Sequence, residues 1–186
     1  MRKLKLLAAI AVAIPMLTAP ANAAEGDGFA SETLSADIIT GLVPFWTYWV
    51  AHGKGDSHGE GQYLRSTGAS LVINSVLRLG FNETNWGERP NGSPYGFPSG
   101  HTAFMTSSAA FLQDRYGWQY GVPAYVLTGY VAWVRVDTKH HRWRDVTAGA
   151  VLSWSVSKLF VSPLDEPMIT PVVGPKFVGL QWKQTF

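Results

Sequence analysis

Helical periodicity recurs in almost every patterned stretch of this chain, and that recurrence is the strongest limit on its fold. From Gln62 onward, Leu64, Leu71, Val72, Val76 and Leu77 repeat at helical spacing. Before them, Ser31-Glu32-Thr33-Leu34 leads into the apolar set Ile38, Ile39, Leu42, Val43, Phe45, Trp46, Trp49 and Val50, with Pro44 placed to kink the helix. Three more helices are predicted at about 99–116, 121–134 and 144–161, the last ended by Pro163. His52 to Gly61 reads as a Gly-rich loop, and Leu79 to Phe97 as a long functional loop rich in Asn, Gly and Pro. The period changes only in the tail, where Val178, Leu180 and Trp182 alternate with small or polar residues. The expected fold is all-α, a bundle of about five or six helices with a short C-terminal β-hairpin.

The chain begins Met1-Arg2-Lys3-Leu4-Lys5, stays apolar from Leu6 to Leu17, and reaches Ala21-Asn22-Ala23. That pattern predicts a secretory signal peptide over 1–23 with Ala24 as the mature N-terminus. A lead at 24–36, one catalytic-sized domain at 37–162 and a tail at 163–186 follow. Cleavage removes three of the 15 basic residues and none of the 13 acidic ones, so the formal charge passes from +2 to −1. The basic pI of the whole chain belongs to the leader, and no nucleic-acid partner is expected. An exported chain without Cys has no disulfide staple, so stability must come from packing, which eight Trp, nine Phe and seven Tyr can supply. These features point to a bacterial periplasm. No stretch offers the roughly 20 uninterrupted apolar residues of a spanning helix; the longest uncharged one, 116–134, contains Gln119 and Pro123. A soluble or peripheral protein is expected, with an integral membrane protein whose site faces the periplasm as the alternative.

Two short stretches carry chemistry. Pro98 forces a turn, Ser99 and Gly100 then precede a helical run, and free N–H groups at such a start attract anions. His101 would stand in the first turn. Further on, Arg135 is followed by His141 and Asp145, with five and three residues between them. Arg135, with Arg89 as a second, offers a planar fork of donors that stays protonated. On a helix the spacing of His141 and Asp145 puts both on one face, so the carboxylate can hold one imidazole nitrogen and leave the other free as a nucleophile. A phosphoryl group needs such cations and N–H donors around its oxygens.

Phe97-Pro98-Ser99-Gly100-His101-Thr102 and the Arg135, His141, Asp145 spacing resemble the second and third signature motifs of the type 2 phosphatidic acid phosphatase family. That family includes bacterial class A acid phosphatases and vanadium haloperoxidases. Its first motif is Lys, six residues, Arg-Pro, and Arg89-Pro90 match its end. Counting back from Arg89 reaches the uncharged Asn82; with Asn85 to Glu88 as an insertion, Arg78 takes the Lys position. Val134 stands where the family often has Ser. The resemblance runs from about residue 37 to about residue 160.

The resemblance implies a helical bundle and a metal-independent phosphatase working through a phosphohistidine. His141 would attack phosphorus, Asp145 would orient it, and His101 would protonate the leaving oxygen and then activate water. Arg89, Arg135 and Arg78, with the N–H groups near Ser99 and Gly100, would hold the phosphoryl oxygens. No metal or cofactor is expected. The implied substrate is a phosphomonoester or pyrophosphate, a lipid phosphate before a soluble one; the aromatic stripe Phe45, Trp46, Tyr48 and Trp49 reads first as core, and with a lipid substrate it would also touch acyl chains or a membrane surface. Alternatives are a non-specific periplasmic acid phosphatase, a vanadate-dependent haloperoxidase and a non-catalytic envelope or phosphate-binding protein.

Pro-Ser-Gly alone is also good N-cap chemistry, and only its pairing with the third motif lifts it above that. His140 competes with His141, and Asp137 competes with Asp145 as its orienter, being four residues away on the other side. His52 and His58 invite a metal reading that no recognised ligand spacing supports.

Overall fold

The computed structural model of the protein describes residues 27–164, 168–174 and 177–183. The signal peptide expected at 1–23 lies outside the described residues. Five helices form the body: α1 (Asp27–Gly53), α2 (Ser57–Phe81), α3 (Gly100–Tyr116), α4 (Trp118–Asp137) and α5 (Trp143–Phe160). The all-α class holds across them. Past α5, the backbone of β1 (Met168–Gly174) pairs antiparallel with β2 (Phe177–Lys183), Met168 opposite Lys183 and Gly174 opposite Phe177.

Helix α3 is the axis of the bundle, with the other four helices packed around it. Its Ala103, Met105, Ala109, Ala110, Phe111 and Leu112 are fully covered. A helix with no exposed face must satisfy its hydroxyls internally. Ser107 donates to the Phe104 carbonyl at 2.8 Å, and Ser108 meets the Tyr63 hydroxyl at 2.9 Å. Small residues set the closeness of the neighbours. A Cβ on Gly149 of α5 would stand 2.5 Å from the Ser99 carbonyl oxygen, so that glycine lets the start of α5 rest on the start of α3.

The turn between α1 and α2 is shorter than the Gly-rich stretch suggested. Asp56 caps α2, its Oδ1 accepting from the Gly59 N–H at 2.8 Å, so the helix starts at Ser57 instead of Gln62. The cap and the packing behind it outweigh the cost of glycine in a first turn, about 1 kcal/mol each. Helix α1 continues through Pro44, whose carbonyl accepts from the Tyr63 hydroxyl at 3.2 Å.

One end of the bundle is closed by a buried ion pair. Arg115 donates to Asp56 through Nε at 2.7 Å and NH2 at 2.8 Å, and through NH1 to the carbonyls of Ser162 and Pro163 at 2.9 and 3.0 Å. With the Gly59 N–H already bonded there, the Tyr116 hydroxyl donates a fourth bond to Asp56 at 2.8 Å. Burial alone would raise the Asp56 pKa, but the bonds from Arg115, Gly59 and Tyr116 hold it below the usual carboxylate value. The opposite end of α3, roughly 20 Å away at 1.5 Å per residue, carries Ser99, Gly100 and His101. No helix among the described residues is long and apolar enough to cross a membrane.

Candidate active site

The start of α3 has the expected N-cap and free N–H groups, with one change from expectation. Ser99 is the N-cap, its hydroxyl oxygen accepting from the Thr102 N–H at 3.5 Å and the Thr102 hydroxyl at 3.2 Å. Its own N–H, however, donates to the Asp145 carbonyl at 2.9 Å. Ser99 therefore ties α3 to α5 and cannot present that N–H to a phosphate. The N–H groups of Gly100 and His101, beyond reach of any helical carbonyl, remain for an anion.

The third motif is split by structure, which corrects the one-face argument. Arg135 lies in the last turn of α4, His141 in the connection, and Asp145 in the first turn of α5. Asp145 sits three residues into a capping box, its Oδ2 accepting from the Arg142 N–H at 2.7 Å and its Oδ1 from Arg144 Nε at 3.3 Å. Its Oδ2 is 3.9 Å from His141 Nδ1, too long for a hydrogen bond. The Gly96 carbonyl does the orienting instead, accepting from His141 Nδ1 at 2.7 Å. A carbonyl only accepts, so the proton is on Nδ1 and the Nε2 lone pair is available. Burial, then the charges of Arg135 and Arg89, push the His141 pKa well below its ordinary value, so the imidazole is neutral.

His140 turns elsewhere: Thr138 donates its hydroxyl proton to the Val134 carbonyl, and His140 Nδ1 meets that hydroxyl at 2.9 Å. Asp137, the competing orienter, is exposed. His52 bonds Glu60 at 3.0 Å and His58 meets Gln62 at 3.1 Å, a structural use of both. Among the described residues no group of three or more His, Cys, Asp or Glu is placed to hold a metal ion.

Three guanidinium groups converge beside these histidines. Burial, then the charges of Arg78 and Arg135, together lower the pKa of Arg89 to about 10. Arg135 is buried and feels Arg78 as a second like charge. The Nε atoms of Arg78, Arg89 and Arg135 are buried without a hydrogen-bond partner among the described residues. Arg78, in the last turn of α2, donates through NH2 to the Tyr95 carbonyl at 3.3 Å. Asn82, the other position for the first-motif cation, instead accepts from the Tyr95 N–H at 3.0 Å. The pair pin Tyr95 at φ 62°, a left-handed conformation that costs a non-glycine residue on the order of 1 kcal/mol.

The loop over 82–99 is fastened, not loose. Arg142 donates to the Glu88 carbonyl, and Arg144 to that of Asn85 at 3.2 Å while lying 4.6 Å from the Trp86 ring. Trp86, Phe81 and Phe97 pack edge to face or tilted within 6.0 Å. The Arg142 and Arg144 contacts carry no motif signal. Asp37 of α1 was missed for the same reason, yet it touches the site: its Oδ1 is 3.0 Å from His101 Nε2 and 3.3 Å from Arg135 NH1. The signal that marks it is isolation, since it is the one Asp, Glu, Lys or Arg between Glu32 and Lys54.

The family model of the PAP2 superfamily matches residues 44–165, more than half of the chain. The match covers Arg78, Arg89, Ser99, Gly100, His101, Arg135, His141 and Asp145, and it stops short of the two strands, so it lends the C-terminal hairpin no support. Searches of curated proteins and of solved structures returned no match. Members of the matched superfamily are generally phosphatases acting on phosphoesters. With the match extending over all five helices but most of the first, the chain belongs to the PAP2 superfamily.

Proposed function

We propose that this protein is a metal-independent phosphatase that hydrolyses a lipid phosphate, as monoester or pyrophosphate, through a phosphohistidine at His141. One observation carries the reading: buried Arg89 and Arg135, with half-buried Arg78 crowding both, gather three positive charges with unpartnered Nε donors beside an imidazole held neutral. Crowded buried cations are costly for folding alone and useful to a protein that binds an anion there.

In the first step the His141 Nε2 lone pair attacks phosphorus, the P–O bond to the leaving group breaks, and the leaving oxygen takes a proton from His101. In the second, water attacks phosphorus while giving a proton to His101, and the P–N bond breaks to release inorganic phosphate and neutral His141. The guanidiniums and the N–H groups of Gly100 and His101 stabilise the charge on the equatorial oxygens throughout.

A groove supports the lipid over the soluble ester. It has a volume of about 400 Å³ and lies between α4 and α5, floored by α3. Thr102, Ala132 and Trp143 form its near end, one to three residues from His101, Arg135 and His141; Tyr125, Val151 and Trp154 form the far end. An acyl or prenyl chain on a phosphate held at the site would follow it. Of the aromatic stripe on α1, Tyr48 turns into the core, while Phe45, Trp46 and Trp49 are exposed beside Leu42 and support contact with a membrane surface; the leader-like start supports a periplasmic location.

The test is phosphate release in EDTA from p-nitrophenyl phosphate, phosphatidic acid and a prenyl pyrophosphate, with the parent, His141→Ala and His101→Ala. The expected result is metal-free turnover favouring the lipids, lost in both variants. Undiminished release by His141→Ala, or a strict need for a divalent ion, would sink the mechanism. Bromide oxidation with added vanadate in place of hydrolysis would move the protein to the haloperoxidase reading.

A further inference from the structure

Asp37 lies before the residues that the family model matches, and it brings a carboxylate to a site otherwise built of cations. One oxygen serves two groups: Oδ1 is 3.0 Å from His101 Nε2 and 3.3 Å from Arg135 NH1. A carboxylate only accepts, so His101 carries its proton on Nε2 when this contact is made. We propose that Asp37 is the positioning residue for His101, fixing the Nε2–H edge so that Nδ1 faces the leaving oxygen, and supplying the counter-charge that lets this imidazole be protonated. The proposal rests on the phosphatase reading above.

The need for a counter-charge follows from what surrounds His101. Burial pushes its proton off most strongly, and Arg135 of α4 and Arg78 of α2 push in the same direction. His141, from the connection before α5, interacts with it as well, and Arg89 adds a positive charge to the same cluster. The hydrogen bond and charge of Asp37 oppose them. A general acid has to hold a proton, and a phosphate cradle has to accumulate positive charge; without Asp37 these demands conflict. Asp37 itself stays ionised: burial would raise its pKa, but His101, Arg135 and His140 hold it below the usual value. In this arrangement Nδ1–H goes to the leaving oxygen as the P–O bond breaks. Neutral Nδ1 then takes the proton of the attacking water as the P–N bond breaks. The Nε2 proton remains on His101 through both steps, as in a triad where the carboxylate orients and is not itself protonated.

The test uses the full chain with Asp37→Asn, Asp37→Ser and Asp37→Glu, each checked for folding by thermal melt. Steady-state rates on p-nitrophenyl phosphate against pH are read beside the NMR titration of the His101 ring, assigned with His101→Gln. Asp37→Asn and Asp37→Ser are expected to lower kcat by about tenfold or more, with less change in KM. Both should move the His101 titration and the alkaline limb of kcat/KM down by about one pH unit, and Asp37→Glu should restore part of each. A kcat and pH profile equal to the parent would overturn the proposal. A loss confined to KM, with the His101 titration unmoved, would reduce Asp37 to a partner of Arg135 and overturn it as well. The titration does not depend on turnover: an inactive parent counts against the phosphatase reading, and an unmoved titration counts against Asp37.

Discussion

His141 Nδ1 lies 2.7 Å from the Gly96 carbonyl oxygen and 3.9 Å from Asp145 Oδ2, so a backbone group, not the motif carboxylate, selects the tautomer. Asp145 is fully buried and acts first on α5, capping Arg142.

This division separates two roles that one substitution would confuse. Asp145→Asn keeps an acceptor oxygen for the Arg142 N–H and removes only the charge; Asp145→Ala removes both. Thermal or denaturant melts should show Asp145→Ala less stable than Asp145→Asn by about 1 kcal/mol, the usual worth of such a cap. Both should lose activity, because the charge that favours a developing imidazolium at His141 is gone from each.

Crowding of the arginines predicts opposite effects on stability and binding. Arg78→Gln relieves repulsion on Arg89 and Arg135, so the melting temperature without phosphate should rise by a few degrees. Inhibition by inorganic phosphate should weaken about tenfold or more, the worth of one charged hydrogen bond. Added phosphate should stabilise the parent more than Arg78→Gln, as binding to the native state requires. A variant no more stable than the parent that still binds phosphate equally would place Arg78 outside the cradle.

Three histidines set the pH behaviour. His141 lies well below its ordinary pKa, and burial with Arg135 and Arg89 takes His140 to about 4. Below the unfolded value of about 6.5 the unfolded chain binds these protons and the native state does not. Stability should therefore fall as pH drops from about 6.5 towards 4, with a shallower fall in His140→Gln. Asp37 and Asp56 have lowered pKa values, so their contributions are present above the carboxylate range and disappear only at lower pH, as pH falls through the native values. For catalysis the His101 pKa is also lowered, chiefly by burial, so kcat/KM should decline on the alkaline side with a midpoint below about 6.5. An acid optimum in the pH profile would follow.

The Asp56–Arg115 pair stands at the far end of α3 from His101, with both side chains buried. Arg115→Ala strands a buried carboxylate and should cost about 3–5 kcal/mol in denaturant unfolding. Under conditions where the variant remains folded, its kcat should match the parent, since the pair touches no site residue.

Much of the fold was legible because helical period is a local property: α1, α2, α3, α4 and α5 each carry it in their own residues. The hidden parts were boundaries set by contact. Asp56 starts α2 five residues before its apolar pattern does, and Gly59 is compatible with that cap because a Cβ there would lie 2.1 Å from Asp56 Oδ2. The motif residues themselves were legible, since Ser99, His101, Arg135, His141 and Asp145 follow spacings that the chain preserves. Their partners were not: Gly96 contributes a carbonyl, which every residue has, and Asp37 reaches His101 across 64 positions of sequence.

The sequence by itself determined the helical class and the family, because periodicity and motif spacing are written in residue order. Tertiary structure alone decided that Gly96 fixes the tautomer of His141 while burial, Arg135 and Arg89 keep it neutral, that Ser99 gives its N–H to Asp145, and that Arg78 and not Asn82 joins the cationic cluster. It also decided that Asp37 meets His101. Orientation, burial and the summed field of charges depend on which segments pack together, and spacing along the chain does not encode them.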